Sequence, residues 1–166
     1  NDLLKKYYRA QKVVSTDDWE TFYATLQTAL PVAIRINKSK PCWKHIRSHV
    51  ENTRKFTCIE WYPDRLAWHC DSAVFNTDPE LKKWVDSANA GGLLVYQEAV
   101  SMLPPLYLQI SPQHKVLDMC AAPGSKTMQA IDMMHAGESE DGPYTRYNQG
   151  MILGNDMDTR FLPSVR

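Results

Sequence analysis

The stretch between residues 115 and 156 constrains the fold more than any other part of the sequence. Residues 115–119 form a short run with an apolar centre, 120–126 form a tight loop of mostly small residues, and 127–134 have helical spacing. Residues 151–156 form a second short run that begins with three apolar residues. Short apolar runs of this kind are typical of buried parallel strands. Strand, loop, helix and strand in this order form a βαβ unit, which opens a parallel doubly wound sheet. The sequence therefore predicts an α/β fold.

The loop at 120–126 has the properties of a ligand-binding loop. In an open α/β sheet, ligands bind outside the carboxyl ends of the strands. Small residues there let the backbone approach a ligand closely, and the following helix presents free N–H groups. The loop lacks G-x-G-x-x-G, and it lacks a Walker A motif because Met119 stands five residues before Gly124, where glycine is needed. A nucleoside triphosphate is therefore disfavoured.

Asp156 closes the second predicted strand and is placed to accept hydrogen bonds from ribose hydroxyls. In dinucleotide folds this acid lies about 20 residues after the glycine loop. Here it lies 32 residues after Gly124, because a polar loop at 137–150 lengthens the connection. The position favours an adenosine-containing ligand, and it leaves a nicotinamide-dependent enzyme open. The alternative is that Asp118 and Asp156 only cap loops at the edge of the sheet.

The residues before this unit are typical of a small α+β domain. The patterns predict helices at 2–12, from Trp19, at 43–50, within 76–86 and at 97–103 up to Pro104, and strands at 32–36 and 56–61. The glycine pair at 91–92 marks a boundary. We therefore predict an α+β domain at 1–90 and a domain at 91–166 that contains the βαβ unit.

The net charge of the chain is zero, but its two parts differ in sign. Residues 1–60 carry 11 Lys and Arg against 6 Asp and Glu, whereas residues 61–166 carry 8 against 13. The excess of cations in the first part indicates an anionic partner, with a solvated surface as the alternative. Trp61, Tyr62 and Trp68 either stack on bases or, as is commoner, form the core. The cations suited to phosphate contacts are Lys38, Lys40, Lys44, Arg47, Arg54 and Lys55.

Several classes of protein are disfavoured by what the sequence lacks. No apolar run approaches the roughly 20 residues that span a bilayer, and the N-terminal residues have no apolar h-region. We therefore expect no membrane association. Cys42, Cys58, Cys70 and Cys120 include no C-x-x-C pair, so we expect neither a metal site nor a disulfide framework. A reduced intracellular compartment is favoured.

Several motifs resemble those of one enzyme family. The sequence Val-Leu-Asp-Met-Cys-Ala-Ala-Pro-Gly-Ser-Lys-Thr at 116–127 is similar to the S-adenosylmethionine (SAM) motif of the RNA (cytosine-5) methyltransferases. Residues 97–105 resemble the helix that precedes this motif and lines the same pocket, and 155–158 resemble the family's acidic second-strand motif. Residues 30–36 and 61–69 look like the eukaryotic multisite tRNA branch of the family.

The resemblance implies a Rossmann-like class I methyltransferase domain at 91–166 that uses SAM, of which the chain holds the first βαβ unit. It implies that Asp156 holds the ribose hydroxyls and that loop backbone groups wrap the methionine and ribose portions. The domain at 1–90 would help to seat RNA, and the branch implies tRNA. The implied location is the nucleus or nucleolus, with the cytoplasm as the alternative. The cofactor-binding residues implied are Cys120, Ala121, Ala122, Pro123, Gly124, Ser125, Lys126 and Asp156.

Methyl transfer to cytosine C5 needs a thiolate that adds to C6 and a base that removes the C5 proton. The family uses two cysteines after the cofactor motifs, one following Thr and one within Asp-x-Pro-Cys-Ser-Gly. Neither motif occurs in the 166 residues, so we assign no catalytic residue and expect an N-terminal fragment that is inactive alone. The alternative is a non-catalytic product that acts at most as an RNA-binding module. Arg160 lies four residues after Asp156, one fewer than in the family, and Pro163 breaks the helix expected there.

Overall fold

The computed structural model describes residues 1–135 and 149–157. Most of the polar loop predicted at 137–150 lies outside these residues. The departures from the family pattern at Arg160 and Pro163 also concern residues that the structure does not describe.

The chain forms two compact units, Asn1–Leu30 and Pro31–Arg166. The first unit holds helix α1, Asp2–Ala10, and helix α2, Trp19–Thr25. Both helices were predicted from the spacing of apolar residues, and both are confirmed. Trp19 is buried, with 5% of its surface exposed, and provides the centre around which this small unit packs.

The second unit contains an antiparallel sheet of four strands in the order β2-β3-β1-β4. The strands are β1, Val32–Ile36, β2, Thr57–Cys58, β3, Ala67–Cys70, and β4, Leu94–Tyr96. Because β4 pairs with β1, this sheet takes its last strand from beyond residue 90. The division at residues 1–90 and 91–166 therefore does not coincide with a break between sheets, and it stays a prediction.

Three helices accompany this sheet: α3, Trp43–Thr53, α4, Ser72–Asn76, and α5, Pro79–Ala90. The carboxylates of Asp71 and Asp78 accept hydrogen bonds from first-turn N–H groups and so cap α4 and α5. Together the sheet and helices enclose the main apolar core. Its fully buried members include Ile34, Ile36, Val50, Ala67, Val85, Leu94 and Met102.

The predicted βαβ unit is present. Strand β5, Lys115–Asp118, pairs in parallel with β6, Met151–Gly154, and helix α7, Ser125–Met134, lies between them in sequence and packs on β6. Val116 and Ile152 face a small core beside this helix. The α/β fold class is therefore confirmed.

Two predicted elements differ from the structure. The helix predicted at 97–103 is a 3-10 turn, Ala99–Met102, followed by helix α6, Leu103–Tyr107. The prolines after Leu103 open a helix instead of ending one, because the N–H that proline lacks has no partner in a first turn. The strand predicted at 56–61 is shortened to β2, since the chain turns at Ile59, whose carbonyl accepts the Tyr62 N–H at 3.0 Å.

Within residues 1–135 and 149–157, none of the helices combines the length and apolar character that a membrane crossing requires. In the same residues, no group of three His, Cys, Asp or Glu side chains is arranged to hold a metal ion. The four cysteines are free thiols.

Candidate functional site

The loop between β5 and α7 lies against the carboxyl ends of both parallel strands. The Ala121 N–H donates to the Asn155 carbonyl at 2.9 Å, and the Asn155 N–H donates to the Asp118 carbonyl at 2.8 Å. The Ala122 N–H donates to the Asp156 Oδ2 at 2.8 Å. These bonds hold the loop and the residues after β6 together at the position where open α/β sheets bind ligands.

The side chain of Asp118, the last residue of β5, holds this loop through hydrogen bonds. Its Oδ1 accepts the Cys120 N–H at 3.2 Å, and its Oδ2 accepts the Thr127 hydroxyl at 2.6 Å. Thr127 is 2% exposed and lies in the first turn of α7. Asp118 therefore ties the loop to the helix, which is the capping role weighed for it from the sequence.

Gly124 joins the loop to α7. It adopts φ 106° and ψ −1°, a left-handed conformation that glycine accepts at no steric cost, and it is the N-cap of the helix. Because glycine has no side chain, it cannot cover the first-turn N–H groups, including those of Ser125 and Lys126. The positive end of the helix dipole therefore favours a negatively charged ligand group at this position.

Gly154 allows the loop to approach the second strand closely. A Cβ atom placed on Gly154 would lie 3.3 Å from the Cβ of Ala121, closer than ordinary van der Waals contact. Ala121 itself is 6% exposed. Small residues on both sides of this contact are therefore what brings the loop backbone next to Asp156.

The structure brings the predicted site residues together at one edge of the sheet. Residues 120–124 form the loop, whereas Ser125 and Lys126 begin α7 two residues earlier than the sequence predicted. Cys120 and Lys126 are exposed, and Asp156 is half-buried. Their assignment to a cofactor stays a prediction.

Sequence reasoning gave no role in the site to Thr127 or Asn155. The Asn155 Nδ2 donates to the Met119 carbonyl at 3.0 Å, so this side chain adds to the main-chain bonds between β6 and the loop. The sequence pattern gave no signal for this role, because it predicted Asn155 as part of the strand at 151–156, whereas β6 ends at Gly154.

The three aromatic residues considered for base stacking, Trp61, Tyr62 and Trp68, belong mainly to the core. Trp68 and Tyr62 are 3% and 7% exposed, so the core prediction is confirmed for both. Trp61 is 49% exposed, so among the three its ring is the one that a base could stack on. Burial raises the pKa of the Tyr62 hydroxyl.

The cations proposed to contact phosphates are partly engaged with acids of the same unit. Lys38 Nζ lies 2.5 Å from the Asp64 carboxylate, and the Arg47 Nη1 donates to the Asp64 carbonyl at 3.2 Å. Lys55 pairs with Asp78. Exposed ion pairs of this kind contribute about 0–1 kcal/mol, so a phosphate can displace the acid at little cost.

Cys70 lacks the surroundings of an activated nucleophile. Cys70 is 2% exposed in β3, and burial raises the pKa of its thiol. Cys58 is half-buried in β2, Cys42 is half-buried at the start of α3, and Cys120 is exposed within the loop. Activated thiolates need a lowered pKa from nearby cations or a helix N-terminus.

The parallel strands, α7 and the loop between them define the opening of a Rossmann-like α/β domain. A solved structure of a methyltransferase homolog protein from Pyrococcus horikoshii has this fold, with a TM-score of 0.62 and 24% identity over 89% of this chain and 42% of that chain. No family model matches the chain.

The relatives that are similar over nearly the whole chain include two enzymes that act on tRNA according to their names. The multisite-specific tRNA:(cytosine-C(5))-methyltransferase of Saccharomyces cerevisiae is 34% identical over 96% of the chain. The tRNA (cytosine(34)-C(5))-methyltransferase of Drosophila melanogaster is 34% identical over 95% of it. The chain belongs to the RNA (cytosine-5) methyltransferase family. It spans 25% and 24% of the lengths of these two relatives.

Proposed function

We propose that this chain is part of an enzyme that methylates cytosine C5 in RNA with SAM, and that it supplies the cofactor site and a surface for RNA. The observation that carries the proposal is the hydrogen bond from the Ala122 N–H to Asp156 Oδ2, at 2.8 Å. This bond places an acid beside a small-residue loop at the carboxyl ends of two parallel strands. Family membership supports SAM as the ligand for that arrangement.

The residues present fit the chemical groups of SAM. A carboxylate accepts up to about four hydrogen bonds, so Asp156 has the capacity to take ribose hydroxyls while it holds Ala122. The open first turn of α7 suits the carboxylate of the methionine portion. When bound, SAM supplies a methyl group on a positively charged sulfur. The protein's part here is to orient that group through the loop at 120–124.

The proposed RNA partner is tRNA, because the relatives named above act on tRNA according to their names. The surface proposed for it surrounds Trp43, whose ring has the charged groups of Lys38, Lys44 and Arg47 between 5.1 and 5.7 Å from its centroid. Because Trp43 is only 9% exposed, its ring has no free face on which a base could stack. Its role at this surface is to pack against the cations. Phosphate oxygens are the groups that such a cation cluster recognises.

The thiolate that adds to cytosine C6 is not among the groups assigned here. Cys70 is buried in β3, Cys58 belongs to β2, Cys42 directly precedes α3, and Cys120 lies in the loop proposed for the cofactor. We therefore expect the 166-residue chain to transfer no methyl group from labelled SAM to tRNA. Turnover above background with the pure chain would overturn this expectation.

The test of the cofactor site is a calorimetric titration of the chain with SAM, with NAD as the competing adenosine cofactor. Asp156→Asn keeps the side-chain shape and removes the charge. The SAM affinity should fall roughly tenfold or more, because hydrogen bonds to charged groups contribute about 1.5–3 kcal/mol. Asp86→Asn is the matched control. Asp86 lies in α5 and accepts a hydrogen bond from the hydroxyl of Tyr96 in β4 at 2.8 Å, so it belongs to the four-stranded sheet and its helices.

Three results would contradict the proposal. If SAM and NAD both fail to bind, the site is not a cofactor site, and the non-catalytic RNA-binding alternative takes its place. If NAD binds and SAM does not, the chain belongs to a different adenosine-cofactor enzyme. If Asp156→Asn leaves the affinity for SAM unchanged, the cofactor lies elsewhere.

A further inference from the structure

Arg35 is the penultimate residue of β1, and only 1% of its surface is exposed. Its neighbours Ile34 and Ile36 are fully buried, so the strand has no solvent-facing side at this point. A buried guanidinium is costly unless it is paired and hydrogen-bonded. An arginine at this position therefore needs buried partners, and these come from residues far away in the sequence.

The partners form a connected group of four side chains, Arg35, Gln97, Gln129 and Asp132, which we call the buried polar bridge. Arg35 Nη1 pairs with Asp132 Oδ2, and Arg35 Nε donates to Gln97 Oε1 at 2.9 Å. Gln97 Nε2 in turn donates to Gln129 Oε1 at 2.7 Å. None of the four residues is more than 6% exposed.

The bridge connects the two sheets of the second unit. Arg35 comes from β1 and Gln97 follows β4, whereas Gln129 and Asp132 lie three residues apart on one face of α7. Gln129 Nε2 also donates to the Met102 carbonyl at 2.9 Å. The bridge thus fixes both the rotation and the axial position of α7 relative to the four-stranded sheet.

The same helix begins at the loop proposed to bind the cofactor. Gly124 is its N-cap, and the Met128 N–H donates to the Gly124 carbonyl at 2.8 Å. The next residue of the helix, Gln129, belongs to the bridge. A rotation or shift of α7 would therefore move Gly124 and the first-turn N–H groups together.

Packing alone does not account for the bridge. Replacing a buried ion pair by apolar residues of similar volume is often neutral or stabilising. Among the described residues, Arg35 Nη2 and Asp132 Oδ1 are buried without a hydrogen-bond partner, which adds to the cost. Burial raises the pKa of Asp132, and Arg35 opposes that rise. A costly charge pair that connects two sheets is better explained by positioning than by stability.

We propose that Arg35 and Asp132 are positioning residues that hold α7, and with it the loop at 120–124, in the geometry that binds SAM. This inference rests on the proposed function, and it concerns residues that do not touch the cofactor. It predicts that a mutation can change the geometry of the loop at 120–124 without lowering the stability of the chain.

The decisive variant is the double substitution Arg35→Met with Asp132→Leu, which replaces both charges by apolar side chains. Its stability against urea should equal or exceed that of the wild-type chain. Its Kd for SAM should rise between about twofold and thirtyfold, the range found for residues that act on a site from a distance. Wild-type affinity in the stable double variant would overturn the inference.

A second readout separates this inference from the proposed function. Amide hydrogen exchange at Ala121 and Ala122 reports the loop geometry without any cofactor. Faster exchange there in the double variant supports the inference even if the wild-type chain fails to bind SAM, and unchanged exchange overturns it. If the double variant does not fold, Asp132→Asn is measured in the same two ways and decides the outcome by the same criteria. Asp86→Asn is the control, with wild-type exchange expected at both amides.

Discussion

The two sheets of the second unit differ in how well their strands are covered. In β1 of the four-stranded sheet, Ile34 and Ile36 are fully buried. In the parallel pair, Leu117 of β5 and Leu153 of β6 are 58% and 57% exposed. The first sheet is covered by helices and a large apolar core, whereas the second has α7 on one face and, within the described residues, leaves apolar side chains open on the other.

Because their burial differs, we expect the two sheets to have different roles. Parallel sheets are ordinarily covered on both faces, so the exposed leucines indicate a surface made to be covered by further structure. The four-stranded sheet has its apolar residues buried already, so we expect it to contribute the larger share of the stability. The parallel pair provides the loop proposed to bind the cofactor, and the buried polar bridge connects its helix α7 to the first sheet.

The largest effect is expected where the two sheets are connected. Arg35→Met leaves the Asp132 carboxylate buried without its cation, and breaking such a pair costs about 3–5 kcal/mol of unfolding free energy at neutral pH. Burial already raises the pKa of Asp132, while Arg35, His135 and Lys40 lower it. Removing Arg35 raises that pKa further.

The pH dependence of this variant has a definite sign. Below the unfolded pKa of about 3.9, the carboxyl is neutral in both states, so the deficit relative to wild type is smallest. As the pH rises, the unfolded state loses its proton before the folded state does, and the deficit grows until Asp132 has titrated in the folded variant. Urea unfolding from acidic to neutral pH measures this trend. A deficit that is constant with pH would show that Asp132 is not the group left uncompensated.

A matched pair of leucines measures the difference in burial directly. Leu94→Ala in β4 should cost about 2–5 kcal/mol of unfolding free energy, because Leu94 is fully buried and its removal leaves a cavity. Leu117→Ala in β5 should cost about 0.5 kcal/mol or less, because its side chain is mostly exposed. If urea unfolding shows that both variants lose the same unfolding free energy, the difference in burial between the two sheets is contradicted.

A smaller effect is expected from the hydroxyl that ties the loop to α7. Thr127→Val removes the 2.6 Å hydrogen bond to Asp118 and should cost about 1 kcal/mol. It should also weaken SAM binding, because Asp118 then holds the loop less firmly. Thr77→Val is the control, since the Thr77 hydroxyl donates to the Ala73 and Val74 carbonyls within its own helix region. If the affinity for SAM falls equally in both variants, the claim that Thr127 holds the loop through Asp118 is contradicted.

The smallest effect on stability is expected at the proposed RNA surface. Lys38→Gln breaks an exposed pair with Asp64, so the unfolding free energy should change by about 1 kcal/mol or less. The affinity for tRNA should fall, and the slope of log K against log salt should become less steep by about one. Lys115→Gln on β5 is the control, with an unchanged slope expected. An unchanged slope for Lys38→Gln would favour the solvated-surface interpretation.

The sequence predicted the parts of the fold that depend on local patterns. The βαβ unit was found because short apolar strands flank a helix with clear periodicity, and α1, α2 and α3 were found for the same reason. The predicted location of the site rests on the topology alone, and it stays a prediction. The predicted boundaries were less accurate at the prolines after Leu103, where local rules allow either an end or a start of a helix.

The buried polar bridge was not predicted, because its members are distant in the sequence. Arg35 and Asp132 are separated by 97 positions, and an isolated arginine in an alternating strand is typical of a solvent-facing residue. Only the packing of α7 near β1 turns that arginine into a buried partner. The hydrogen-bonding side chains of Asn155 and Thr127 were missed for the same reason, since their partners are set by the loop geometry.

The most direct test of the account is amide hydrogen exchange of the 166-residue chain with and without SAM. Without SAM, amides in β1 should exchange only through global unfolding, whereas those in β5 and β6 should exchange through smaller local openings. With SAM, protection should increase mainly in the loop at 120–124 and the first turn of α7. If SAM instead protects the four-stranded sheet and leaves the loop unchanged, the assignment of the cofactor to the parallel pair is contradicted.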